Sequence, residues 1–195
     1  MAKSTTTQKI VGPSAESLAA SAQAVQKGGL PPVHLWNPPH CGQIDMRIAR
    51  DGTWFYMGTP IARPALVKLF STILRRDGDD YVLVTPVEKV GITVDDAPFV
   101  AVDVDQQGGD LTFETNVGDK VTAGPDNPIR VVRDHETGEP SPYVLVRANL
   151  EALIDRKSFY RLVDMGEEAE HDGAHWFGVR SKGAFFPIIP ADELP

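Results

Sequence analysis

Six short segments between Tyr81 and Val146 are rich in β-branched and aromatic residues, and the gaps between them are filled with turn chemistry. The segments are Tyr81–Thr85, Glu88–Val94, Phe99–Val104, Leu111–Thr115, Ile129–Arg133 and Tyr143–Val146. Between them lie Asp95-Asp96-Ala97-Pro98, Gln107-Gly108-Gly109-Asp110, the Gly- and Pro-rich run 124–128, and Thr137-Gly138-Glu139-Pro140. Glycine supplies positive φ and proline fixes φ, so each cluster stops one strand and turns the chain into the next. Strands at such regular spacing predict a small antiparallel barrel or a strongly curved sheet.

The rest of the chain frames that run. Ser14–Gln26 is Ala-rich and ends at Lys27-Gly28-Gly29, which predicts a helix with a glycine stop, after a polar, mobile start over residues 1–12. Leu30–Pro39 is Pro-rich and predicts an extended tether. Ile44–Arg50 and Thr53–Met57 predict a hairpin through Asp51-Gly52. Pro64 then opens a helix with Leu66, Leu69, Phe70, Ile73 and Leu74 on one face, closed by Asp77-Gly78. A second helix is predicted from Arg147 to about Met165, with a fresh cap at Ser158, and short strands at His175–Arg180 and Ala184–Ile188. Each half thus shows strand, turn, strand, helix. Sliding residues 61–70 by 84 positions onto 145–154 pairs Arg63 with Arg147, Leu66 with Leu150 and Leu69 with Leu153, a weak sign of duplication.

The expected class is therefore α+β, with residues 1–29 as a tail and helix, 30–84 as a first α+β domain and 85–190 as a second, barrel-like one. With 195 residues, 42% hydrophobic and 24% charged, the chain has the composition of a globular protein. Its formal charge of −8 argues against nucleic acid, which needs a basic face. Residues 1–78 nonetheless carry 9 Lys and Arg against 4 Asp and Glu, and the remainder 10 against 23. A single cysteine, Cys41, no apolar signal core at the start and no apolar run fit to cross a membrane together predict a cytoplasmic protein.

Several of these segments match a known pattern. Asp51-Gly52-Thr53-Trp54, Gly58-Thr59-Pro60-Ile61-Ala62-Arg63, Leu83-Val84-Thr85-Pro86-Val87-Glu88-Lys89, Asp96-Ala97-Pro98-Phe99, Thr115-Asn116 and the run from Val146 to Ala152 resemble the bacterial family known as domain of unknown function 1285. The resemblance covers roughly residues 30–190. It implies a duplicated core of two α+β domains with a repeated strand-strand-helix motif, the second superficially like a pleckstrin-homology barrel. It also implies a nucleotide-like ligand between the domains and a role in signal transduction. It carries no catalytic residues.

The residues themselves offer a short set of site candidates. Arg63 and Arg147 are each expected where a strand yields to a helix, where free backbone N–H groups favour an anion and a guanidinium adds a planar fork. The competing reading pairs each with a carboxylate. Trp54 and Tyr56, two apart on a strand, share a face that either stacks a base or fills the core. Glu88 and Lys89 follow Pro86 and point to opposite faces, one toward a partner or ligand. The favoured reading is a non-enzymatic sensor or adaptor holding an anionic, nucleotide-like molecule on Arg63, Arg147 and Lys89 beside Trp54 and Tyr56. The alternatives are a protein-interaction module and a hydrolase using carboxylates such as Glu88 and Asp96.

No catalytic residue, metal ligand or cofactor is assigned. Asp103-Val104-Asp105-Gln106-Gln107-Gly108 with Glu114 imitates a calcium loop, but its flanks read as strands rather than helices. Glu168, Glu170, His171, Asp172 and His175 read as a surface loop. Cys41 beside His34 and His40 lacks an orienting group and an oxyanion hole, and reads as an ordinary thiol. Phosphate loops, dinucleotide fingerprints and nucleophile elbows are absent from the sequence.

Overall fold

The computed structural model describes residues 13–26 and 28–194; the reading of residues 1–12 and of Lys27 lies outside them. The order begins α1 (Ala15–Val25), a 3-10 turn at Val33–Leu35, β1 (His40–Ile48), β2 (Trp54–Tyr56), β3 (Thr59–Pro60), α2 (Pro64–Thr72), β4 (Leu74–Asp77), β5 (Asp80–Val84) and β6 (Lys89–Val94). It continues β7 (Phe99–Gln107), β8 (Asp110–Thr115), β9 (Lys120–Thr122), β10 (Ile129–Arg133), β11 (Pro140–Arg147), β12 (Leu150–Ile154) and α3 (Arg156–Asp164). Last come β13 (Glu167–His171), β14 (Ala174–Ser181), β15 (Ala184–Pro190) and a 3-10 turn at Ala191–Glu193. The chain forms two compact units, one from residues up to Asp45 with Leu69–Ile92, the other from Met46–Lys68 with Thr93 onward.

In the first unit the strand order is β1-β6-β5-β4. Ser14 caps α1 by accepting from the Ser17 backbone, and Ala15, Leu18 and Ala22 bury one helical face. The foreseen tether at 30–39 forms no helix or strand except its 3-10 turn, and Arg75 holds it. Arg75 Nη1 donates to the carbonyls of Val33 and Trp36, 2.7 Å each, while Nε and Nη2 grip Asp77 at 2.6 and 2.8 Å. A Pro-rich segment lacks N–H groups for a ladder, so a side-chain donor satisfies its carbonyls instead. The helix expected to run to Asp77 ends at Thr72, because Leu74–Asp77 turns through Gly78 and pairs with β5.

The second unit holds the foreseen hairpin β1–β2, with Ile48 opposite Trp54, and β3 beside β2. Its main sheet runs β10-β11-β12-β7-β8-β9, antiparallel except for the parallel β12–β7 pair. Irregular register in β7 between Ala101 and Asp103, and in β11 between Leu145 and Arg147, bends the strands, and the sheet curls into a half-barrel. Phe99, Ala101, Val104, Leu111, Phe113, Ala152, Ile154 and Leu162 are all buried in this unit.

The long second helix is corrected. Residues 150–154 form β12, with Leu150, Ala152 and Ile154 buried in strand alternation, and α3 starts only at Arg156. Asp155, not Ser158, caps α3, its carboxylate accepting from the Ser158 N–H at 2.7 Å. The 84-residue slide therefore sets helix α2 against the β11–β12 turn and strand β12, and Arg147 does not precede a helix.

The third sheet, β13-β14-β15, adjoins β8 through Ser181. This 1%-exposed hydroxyl accepts from the Leu111 N–H at 2.9 Å and donates to the Ala123 carbonyl at 2.7 Å. Ser181→Ala strands both backbone groups, so its urea midpoint should fall by an amount equal to about 2 kcal/mol with m unchanged. A loss within experimental error would show that the two bonds contribute nothing.

Candidate functional site

A pocket of about 420 Å³ opens in the second unit where the β1–β2 turn, α2 and the β8–β9 turn meet. Trp54, Ile61, Val67 and Val117 form its apolar wall, and Lys68 and Asn116 bring polar groups. Asn116 builds the junction. Its Oδ1 accepts from the Val100 N–H at 3.0 Å and its Nδ2 donates to the Gly52 carbonyl at 3.3 Å. Gly52 sits at φ +85°, and a Cβ there would lie 2.6 Å from Asn116 Nδ2, so the approach requires glycine. The Lys68 ammonium reaches toward the β8–β9 turn, 3.4 Å from where a Cβ on Gly118 would stand.

Trp54 is 1% exposed, so its ring fills the core, and it also contributes to the pocket lining; Tyr56 is half-buried two residues on. Arg63 is exposed, makes no ion pair among the described residues, and directly precedes Pro64 of the pocket wall. Its carbonyl accepts from the Leu66 and Val67 N–H groups, which leaves Ala65 N–H at the open end of the first helical turn. Arg147 is spoken for. It pairs with Asp119 and its guanidinium lies 4.7 Å over the Phe99 ring. Lys89, in the first unit, pairs with Asp77 at 3.0 Å. Glu88 closes the turn that starts at Thr85, its N–H donating to Thr85 Oγ1 at 3.2 Å.

Lys68 escaped the sequence reading, and Asn116 entered it only within the matching Thr115-Asn116 pair, not as a site residue. A lysine within a helix is ordinarily a solvated residue, and Asn116 gains its meaning only from Gly52, 64 positions away.

The other chemical candidates resolve into structure. Asp96 accepts from the Tyr143 hydroxyl at 2.8 Å and lies 3.4 Å from Arg50 Nε; burial first, and Asp96 second, push the Tyr143 phenol above its usual value. The calcium-like stretch is the β7–β8 hairpin, where Asp103 stands opposite Glu114 and pairs with Arg161. The acidic cluster expected as a loop is the β13–β14 hairpin, turning on Asp172 and Gly173, both at positive φ. Cys41 is exposed on β1. No group of His, Cys, Asp and Glu among the described residues is arranged to hold a metal, and no described helix is long and apolar enough to cross a membrane.

These features define a two-domain α+β protein dominated by sheet. The profile described as "Domain of unknown function (DUF1285), N-terminal domain" matches residues 31–97, and that of the DUF1285 C-terminal domain matches residues 98–188. The chain belongs to the DUF1285 family, as the resemblance implied. A crystal structure of a DUF1285 family protein from Silicibacter pomeroyi DSS-3 is 65% identical, with a TM-score of 0.81, over 90% of this chain and 96% of that one. A second, from Shewanella baltica OS155, is 29% identical with a TM-score of 0.49, over 61% of this chain and 90% of that one. Among curated proteins none matches.

Proposed function

We propose that this chain is a non-enzymatic binding protein, a cytoplasmic sensor or adaptor in signalling, that takes a small nucleotide-like anion in the pocket beside Trp54. The observation that carries the reading is the meeting, in about 420 Å³, of an apolar wall with Lys68 and the first turn of α2. The flat part of the ligand lies against Trp54 and Ile61. Its anionic part takes Lys68, the open N–H end of α2 and, from the rim, Arg63. Residues 52–68 of the lining fall in the segment matched by the N-terminal profile, and 116–117 in that matched by the C-terminal one. Arg147 and Lys89 act as structural cations here, since each already holds a carboxylate. With this reading goes the finer one of the fold: the curled β7–β12 sheet with α3 as a pleckstrin-homology-like barrel, and the halves as a diverged duplication.

Thermal melting against nucleotides and anionic metabolites tests it. A ligand at 100 times its Kd adds about 2.7 kcal/mol, roughly 5–10 °C for a chain of this size. Arg63→Ala with Lys68→Ala should remove the rise while leaving the ligand-free melting point within about 2 °C. If no anion in the panel raises the midpoint, or the double variant responds like the wild type, the reading fails; turnover would favour the hydrolase.

A second reading, a protein-interaction module, draws on β13, which lies at the edge of its three-stranded sheet and exposes Glu168 and Glu170 on one face. An edge strand of this kind can accept an added strand from a basic partner. Charge reversal of both glutamates should then abolish partner binding without changing the melting response to anions.

A further inference from the structure

Between α3 and the β14–β15 pair, within the second unit, lies a separate cavity of about 210 Å³. Phe159 and Val163, one helical turn apart on α3, face Phe177 of β14 and Ile188 and Ile189 of β15. Among the described residues, Arg133, at the end of β10, is the only charged group lining it.

Two adjacent isoleucines on a regular strand point to opposite faces. Here they do not, because the β14–β15 register shifts between Phe177 and Gly178: Phe177 pairs with Ile189 and Gly178 with Pro187, leaving Ile188 as the extra residue. A bulge of this kind turns both side chains into the cavity. Gly178 makes it possible, since a Cβ there would meet the Phe186 carbonyl oxygen at 2.3 Å. The apolar wall is thus built by an irregularity that the strand pairing alone does not need.

The chain itself shows what fits the mouth. Arg133 Nη1 holds the Glu193 carboxylate at 2.6 Å, and the next residue, Leu194, lines the cavity. An acid followed by an apolar group, delivered by the last described turn, occupies the guanidinium and the rim. Arg133 and Glu193 are 41 and 44% exposed, so their pairing is the weak, solvent-screened kind that a competing carboxylate can displace.

We propose that this cavity binds a medium-chain monocarboxylate, its head on Arg133 in place of Glu193 and its tail among Phe159, Val163, Phe177 and the two isoleucines. An apolar cavity of about 150 Å³ holds benzene, so this one takes a tail of about six to eight carbons. The turn at Ala191–Glu193 then acts as a built-in competitor, released when the ligand enters. This site is distinct from the pocket beside Trp54, and neither proposal depends on the other.

Sodium octanoate is the probe, titrated calorimetrically into the full chain with methyl NMR of Val163, Ile188 and Ile189 as the reporter of place. Octanoate should bind saturably and shift those methyls; octanol, which lacks the charge, should bind at least about tenfold more weakly. Glu193→Gln should tighten octanoate about five- to tenfold, and Arg133→Met should weaken it at least about tenfold. Arg133→Lys, which keeps the charge but loses the planar fork, should fall between and serves if Arg133→Met melts early. Absence of saturation with both the wild type and Glu193→Gln overturns the proposal. So does binding that leaves the three methyls unmoved, or that survives Arg133→Met undiminished.

Discussion

Trp54→Ala should lose about 3–5 kcal/mol of stability, the largest single-residue effect expected from the pocket wall. Trp54 stands at the start of β2 opposite Ile48, 1% exposed, with its backbone carbonyl accepting from the Ile61 N–H at 2.8 Å. Alanine keeps that backbone bond and removes the ring, leaving a void that opens onto a pocket already about 420 Å³ in size. Water can enter such a void, which puts the expected loss toward the lower end if the wall relaxes and toward the upper end if it does not. Trp54→Phe retains an aromatic filler and should lose only about 1–2 kcal/mol. Urea unfolding checks both, and equal m-values would show that the denatured states match. Trp54→Phe also separates packing from binding: a stable variant with a weaker melting response to anions places the ligand against the indole. A loss below about 1 kcal/mol for Trp54→Ala would instead show that the wall closes over the missing ring and that the indole contributes little packing.

The same residue shows what the sequence could and could not reveal. Trp54 reads as a strand residue because Asp51-Gly52 turns the chain just before it, and Gly52 does adopt positive φ. Most strands were legible for this reason, since their ends carry residues that only a turn requires. Residues 147–154 were not. Leu150, Leu153 and Ile154 suit a helical face, while Leu150, Ala152 and Ile154 suit a strand face, and the turn that decides between them is made by Ala148 at φ +47°. No glycine marks it. The strand β13 was hidden because Glu167–His171 has no apolar alternation; at a sheet edge, polar residues form a strand by backbone pairing with β14. At the site, Trp54 and Arg63 could be named from local pattern. Arg147 could be named but not placed, because its partner Asp119 stands 28 positions upstream and pairing over that distance leaves no local trace.

Arg75→Met should lose about 3 kcal/mol at neutral pH and detach the Pro-rich segment of the first unit. The guanidinium is 16% exposed and serves three partners at once: the carbonyls of Val33 and Trp36, and the carboxylate of Asp77. Methionine fills similar space but donates nothing, so both carbonyls lose their donor and Asp77 keeps only Lys89, 3.0 Å away. The loss should depend on pH with a defined sign. Hydrogen bonds from Arg75, outweighing desolvation and aided by Lys89, hold the Asp77 carboxyl at about 2, against an ordinary 3.8. A depressed folded value means that the unfolded chain takes up the proton first as acid is added. The Asp77 contribution is therefore complete above about pH 4 and disappears as the pH falls through about 2. Since that carboxylate is 35% exposed, solvent screening reduces the contribution to about 1 kcal/mol. The gap between wild type and Arg75→Met should narrow between pH 4 and pH 2 by the Arg75 share of that amount, since Lys89 still holds Asp77 in the variant, with the remainder, set by the two carbonyls, unchanged. Hydrogen exchange at Val33–Trp36 should rise in the variant even where the second unit is unaffected. A gap constant from pH 7 to pH 2 would show that Asp77 gains nothing from Arg75. Unchanged exchange at those residues would show that the tether is held by its neighbours rather than by the guanidinium.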